Sequence, residues 1–216
     1  MKTDHWWVPL TGAAFVVVAI ASFAVGGEPP DAGHSAQEIA NFYSDNESSL
    51  LIGGLMTGIA GTLLIFFAGY LRRELHKAEG EGGVLSLIAF AGAVVLAIGA
   101  AVDATIAFAM ADAADKIQPA QLQTLQALWD NDFIPIAMGT QVFLLAAGLS
   151  IVRHGALAAW MGWVAIVFGV CALTPVGFIA FLGGGLWVLV ASTMLAMRAR
   201  GATAKPAAPS LVSPAT

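Results

Sequence analysis

Apolar residues fall into six long blocks divided by short polar stretches: 8–26, 50–71, 84–111, 133–152, 157–173 and 178–197. A helix needs about 20 mostly apolar residues to cross a hydrocarbon core of about 30 Å. The blocks meet or approach that length, the fifth being the shortest. Thr174-Pro175-Val176-Gly177 divides the last two, with Pro175 and Gly177 as the residues that break a helix. The pattern predicts an all-α protein, a bundle of six transmembrane helices, over 1–200.

The polar stretches are not uniform. Ser35-Ala36-Gln37-Glu38 has the form of a capping box, after which Ile39, Phe42 and Tyr43 share one helical face. Ser44-Asp45-Asn46-Glu47 repeats that form and is expected to open the second membrane helix early. Pro119 suits a first helical turn, with Leu122, Leu125, Leu128 and Trp129 as an apolar stripe behind it. Short amphipathic helices are therefore expected in these two loops, either lying in the membrane interface or covering the mouth of the bundle. The stretch Arg72-Arg73-Glu74-Leu75-His76-Lys77, running on into glycines, reads as a solvated hairpin connection. Residues 201–216 are rich in Ala, Pro, Ser and Thr and are expected to form a disordered cytoplasmic tail.

Composition agrees with the blocks. Of 216 residues, 58% are hydrophobic and 11% charged, against about 25% charged in a soluble domain. The 24 glycines suit closely packed membrane helices. Lys2 ahead of the first block and Ser22-Phe23-Ala24 within it resemble a secretory signal. The block is longer than a signal core, however, and Trp6 and Trp7 are placed like the aromatic anchors of a retained helix. The net charge of −5 matters less than its distribution. With the N-terminus inside, every lysine and arginine except Lys116 falls on the inner side. The expectation is a bacterial inner (plasma) membrane protein with both termini cytoplasmic and an acidic outer face.

Asp103 stands out within the third block, in Gly99-Ala100-Ala101-Val102-Asp103-Ala104-Thr105. An ionisable residue in a membrane helix is costly and is a functional candidate. Counted from Val84, it lies about 28 Å along the helix, near the outer boundary. With the block centred in the membrane, it lies about 8 Å outside the midplane, and the apolar turns 104–111 favour this deeper placement. Gly99 and Ala100 share its face, so the carboxyl is expected to point into the bundle, as a polar packing contact or as an ion or substrate site. Gln141, about 12 Å below the outer boundary, is the expected partner. Thr140, Thr57 and Thr62 add hydroxyls that can bond the preceding turn. Asp130, Asn131 and Asp132 read as caps of the fourth membrane helix, with a cation site as the other reading. Gly54 and Gly58 form a GxxxG face for helix packing, and Gly99 is a third packing position.

Other chemistries lack their motifs. Cys171 is the single cysteine, so no disulfide or thiol pair can form within the chain. His5, His34, His76 and His154 flank the membrane blocks, and no pair is placed to hold a haem. The chain has no HExxH, GxSxG or P-loop, and no basic patch for nucleic acid. No catalytic residue, metal or cofactor is expected.

The stretches SAQEIANFYSDNESSLLIGGL, FFAGYLRRELHKAEGEGGVLSLIAFAGA and AAWMGWVAIVFGV resemble a group of bacterial six-helix membrane proteins built on a domain of unknown function. The resemblance covers most of 8–198. It implies the fold and no activity, and no residue role comes with it. The leading expectation is a non-enzymatic structural or interaction component, with membrane lipids and either a second copy or another membrane protein as partners. The alternative is a small transporter or channel component using Asp103. A weaker one is binding of a lipid or apolar metabolite between helices. Transport calls for a polar cavity reaching Asp103 from one side; interaction calls for an exposed small-residue or apolar stripe and no cavity.

Overall fold

The computed structural model describes residues 6–203. After a 3-10 turn, Val8–Leu10, come eight helices: α1 (Thr11–Gly26), α2 (Ala36–Asp45), α3 (Glu47–Glu79), α4 (Leu85–Ala113), α5 (Pro119–Trp129), α6 (Ile134–His154), α7 (Ala159–Cys171) and α8 (Gly177–Thr203). Residues 201–203 of the expected disordered tail instead continue α8, and 204–216, like Lys2 and His5, lie outside the described residues.

Five helical stretches are long and apolar enough to cross a membrane, one fewer than expected: Val8–Gly26, Glu47–Glu79, Leu85–Ala113, Pro119–His154 and Gly177–Gly201. The shortfall is α7. Its 13 residues extend only about 20 Å against a core of about 30 Å. The chain is a multipass helical membrane protein with five full-length spans and this shorter apolar helix.

The six apolar helices close into a ring in the order α1, α3, α4, α6, α7, α8. Glycines set the spacing. A Cβ on Gly53 would lie 3.3 Å from the α1 backbone at Gly26, and the Ser22 hydroxyl donates to the Gly53 carbonyl at 3.0 Å. Between α4 and α6 the approach is closest: a Cβ on Gly139 would fall 2.3 Å from the Leu96 nitrogen, and one on Gly92 would fall 2.4 Å from that of Phe143. Gly148 meets the Gly162 carbonyl between α6 and α7. The Trp187 indole donates to the Met161 carbonyl across α7 and α8. Ser192 joins α8 to the start of the chain, donating to the Pro9 carbonyl and accepting from the Ala13 amide. Leu64, Phe67, Leu96, Phe143, Leu144 and Trp187 fill the centre of the ring.

One end of the bundle carries the turn after α3, the α6–α7 turn and both described ends of the chain. There Glu79 accepts from the buried hydroxyls of Ser86 and Ser150, Arg198 donates to the Ala156 carbonyl, and Arg200 lies 4.1 Å over the Trp6 ring. Residues 72–79, expected as part of a solvated connection, continue α3, and Arg72, Arg73, His76, Lys77 and Glu81 are exposed as that expectation has it.

The other end carries a cap. The α2 and α5 helices pack on each other and on the last turns of α4, burying Ile39, Tyr43, Leu50, Met110, Ala111 and Leu122 as a second apolar cluster. Of the two readings of the amphipathic helices, covering the bundle is the one adopted. The Ser35–Glu38 capping box forms with both of its bonds. The second one does not: Ser44 donates to Asp115, and the Asn46 amide donates to Phe42, although α3 does begin at Glu47. At α5, Gln118 and Gln121 make a capping box that the sequence reading passed over.

Candidate functional site

Asp103 sits at the seam between the two apolar clusters. On α4, Ala97 belongs to the ring core and Met110 to the cap. Of the apolar turns that follow Asp103, Met110 and Ala111 are buried by the cap, whereas Phe108 and Ala109 stay exposed on the outside of α4.

The packing of α4 on α6 fixes what lies beside it. A Cβ on Gly99 would meet Ile136 and Pro135, and Gly139 meets Leu96. Gly99 thus lies at a close helix contact. The two helices run antiparallel, so one turn beyond Gly99 the Asp103 side chain is level with the start of α6, not with its interior. Gln141 is then about 13 Å away along the bundle axis and is not a partner of Asp103. The expected pairing fails because the register of α4 on α6 sets Asp103 level with the start of α6.

The groups that do face Asp103 are the carboxyl of Asp132 and the indole N–H of Trp129. None of these contacts reaches full hydrogen-bond geometry. Trp129 Nε1 and Asp132 Oδ2 are buried and lack a hydrogen-bond partner among the described residues. Asp132 was expected to cap α6, but the α6 N-cap is Phe133 and has no side-chain cap bond. Asn131 instead bonds the Ala127 carbonyl, and Asp130 accepts from the Ala32 amide and from Gln126, both at 2.8 Å. The cap is tied in behind this group: Tyr43 donates to Gln126 Oε1 at 2.7 Å, and Gln123 donates to the Ala32 and His34 carbonyls. Burial, with the charges of Asp130 and Asp103 added, pushes the Tyr43 phenol well above its ordinary range. It therefore stays a neutral donor.

Asp103 is half-buried on the wall of a cleft of about 740 Å³ between the cap and the α1, α3, α4 and α8 helices. Glu28, Ser22, Thr57 and Trp129 supply the other polar groups, among mostly apolar neighbours such as Phe178 and Leu182. The cleft exists because the α7–α8 hairpin turns back early. Gly169 packs at the level of Leu145, inside α6, so α8 begins well short of the cap.

The remaining candidates lie elsewhere. Thr140 is 3% exposed, and its hydroxyl has no hydrogen-bond partner among the described residues. Thr57 and Thr62 do bond their preceding turns. Gly54 approaches the Ala104 carbonyl at van der Waals distance, but Gly58 faces open space. Gly53 and Gly61 make the closer contacts of α3, so of the Gly54–Gly58 pair only Gly54 faces a neighbouring helix. Trp129 and Asp132 were missed as partners of Asp103. Their signal was present: an indole and three polar residues in a row at the mouth of the membrane block next to Asp103.

Among the described residues, no group of three His, Cys, Asp or Glu is placed to hold a metal ion. Two carboxylates side by side repel, and a positive group between them removes that repulsion. The indole N–H is a donor and can serve only the carboxylates, so a small cationic head would be received by the carboxylates beside the apolar wall. Compared with family models, with curated proteins and with solved structures, the chain has no match in any of the three.

Proposed function

We propose that the protein is a non-catalytic binding component of the bacterial inner membrane, which takes an organic cation from the outer side at Asp103. The observation that carries this reading is Asp103 on the wall of an open cleft with Trp129, and behind it the buried carboxyl of Asp132, whose Oδ2 has no hydrogen-bond partner among the described residues. Six crossings belong to the same reading, with α7 and α8 crossing as a hairpin. So do cytoplasmic termini, supported by the lysine and arginine distribution, and membership of the six-helix group that the sequence resembles.

The test is binding of butylammonium to the purified full chain in lipid nanodiscs. Asp103→Asn keeps the shape and removes the charge. It is expected to weaken binding about tenfold or more, as for loss of a charge-assisted partner. Trp129→Phe, which removes the N–H and keeps a ring, is expected to weaken it less. Unchanged affinity in Asp103→Asn would overturn the reading.

Transport is the second reading, favoured by the same open cleft. Beneath Asp103, however, the ring is closed by Leu96, Phe143 and Phe67. Passage would need α8, the loosely attached member of the ring, to move. Asp103-dependent uptake of the amine into proteoliposomes is the measurement that would favour it.

A further inference from the structure

The cleft beside Asp103 does not end at the cap. A second, almost wholly apolar crevice of about 240 Å³ runs between α1 and α8. Ile20, Phe23, Phe181 and Leu182 line both spaces, so the two are neighbours that share a wall of side chains. The crevice opens because α8 meets α1 mainly at the far end, through Ser192 and Pro9. It is also widened by small residues: a Cβ on Gly185 would touch nothing within 4 Å.

At the inner part of this crevice sits Thr140, one of its lining residues. A threonine in a helix ordinarily bonds the carbonyl one turn back, as Thr57, Thr62, Thr105 and Thr193 do here. Thr140 does not, and its buried hydroxyl is left unpaired in an apolar wall. Such a group is costly unless something completes it. It lies eight residues along the chain from Asp132, hence about 12 Å along the bundle from the carboxylate pair.

We infer that the ligand is an elongated apolar molecule with a positively charged amine at one end and a hydrogen-bonding oxygen about 12 Å away. The amine meets Asp103 on the cleft wall, with the Asp132 carboxyl behind it, the apolar body lies between α1 and α8, and the oxygen meets the Thr140 hydroxyl. The charge of the carboxylates selects amine-headed chains over carboxylate-headed ones. The inference rests on the proposed cation site and adds the body and the far end of the ligand.

The probes are butylamine, decylamine, aminodecanol (an amine and a hydroxyl at opposite ends) and decanoic acid, titrated into nanodiscs holding the full chain. Relative to decylamine, aminodecanol is expected to gain roughly two- to tenfold in the wild type over Thr140→Val, the worth of one hydrogen bond. Gly185→Leu fills the crevice where nothing is displaced. It is expected to weaken both long amines several-fold and to leave butylamine unchanged. Butylamine and decylamine binding that requires Asp103, with no effect of either Thr140→Val or Gly185→Leu, overturns this inference and leaves the cation site standing. Failure of every amine to bind, or decanoic acid binding as tightly as decylamine, overturns the cation site and the inference with it.

Discussion

At the residue scale, close helix contact is decided by which glycine faces a neighbour. Gly139 puts its α-carbon where a methyl group would strike the Leu96 backbone at 2.3–2.6 Å. The clash is with main chain, so no flexible side chain can yield. Gly139→Ala is expected to cost about 1–3 kcal/mol, read as a lower Tm in detergent. Gly58→Ala, in open space, is expected to leave Tm equal or slightly higher, because alanine favours a helix by up to about 1 kcal/mol. Equal losses in the two variants would refute this packing scheme. The sequence made Gly99 legible because Asp103 drew attention to its face. It made Gly58 misleading, since a spacing of four identifies a strip of helix but not the strip that is covered. Asp103 itself was legible as an oddity. Its surroundings were not, because Trp129 and Asp132 reach it only through the register of α4 on α6.

At the element scale, what was local in sequence was readable. The α2 capping box follows from four consecutive residues and forms as written. The similar-looking Ser44 to Glu47 stretch does not form a box, because Asp115, far along the chain, takes the serine hydroxyl. Ser35→Ala is expected to cost about 1 kcal/mol, seen as faster amide exchange in 36–45. Acid should do the same. The Ser35 hydroxyl and amide hold the Glu38 carboxyl below its ordinary 4.5. The box's contribution is therefore full above about that pH and is lost as pH falls through the lowered value in the folded protein. Exchange of α2 that stays constant across this range would remove Glu38 from the account. The length of α4 was also legible, but not that Met110 and Ala111 in its last turns pack into the cap.

At the scale of the whole molecule, the order of the ring was not legible, since apolar blocks carry no label of neighbour. The length of α7 was not legible either, since the fifth apolar block runs past the end of the helix at Cys171. The brevity of α7 has a further consequence, for biosynthesis. A 13-residue apolar helix is a poor stop in a translocating chain, where a full span needs about 20 residues. If α7 crosses, its insertion is expected to wait on α8, the two entering the bilayer as one hairpin. A sidedness reporter fused after Val176 is expected to give a mixture of orientations, and one fused after Gly201 a single orientation. A uniform result at Val176 would show that α7 commits to the membrane unaided. The same early turn that makes room beside Asp103 thus leaves the nascent chain undecided until its last helix has been made.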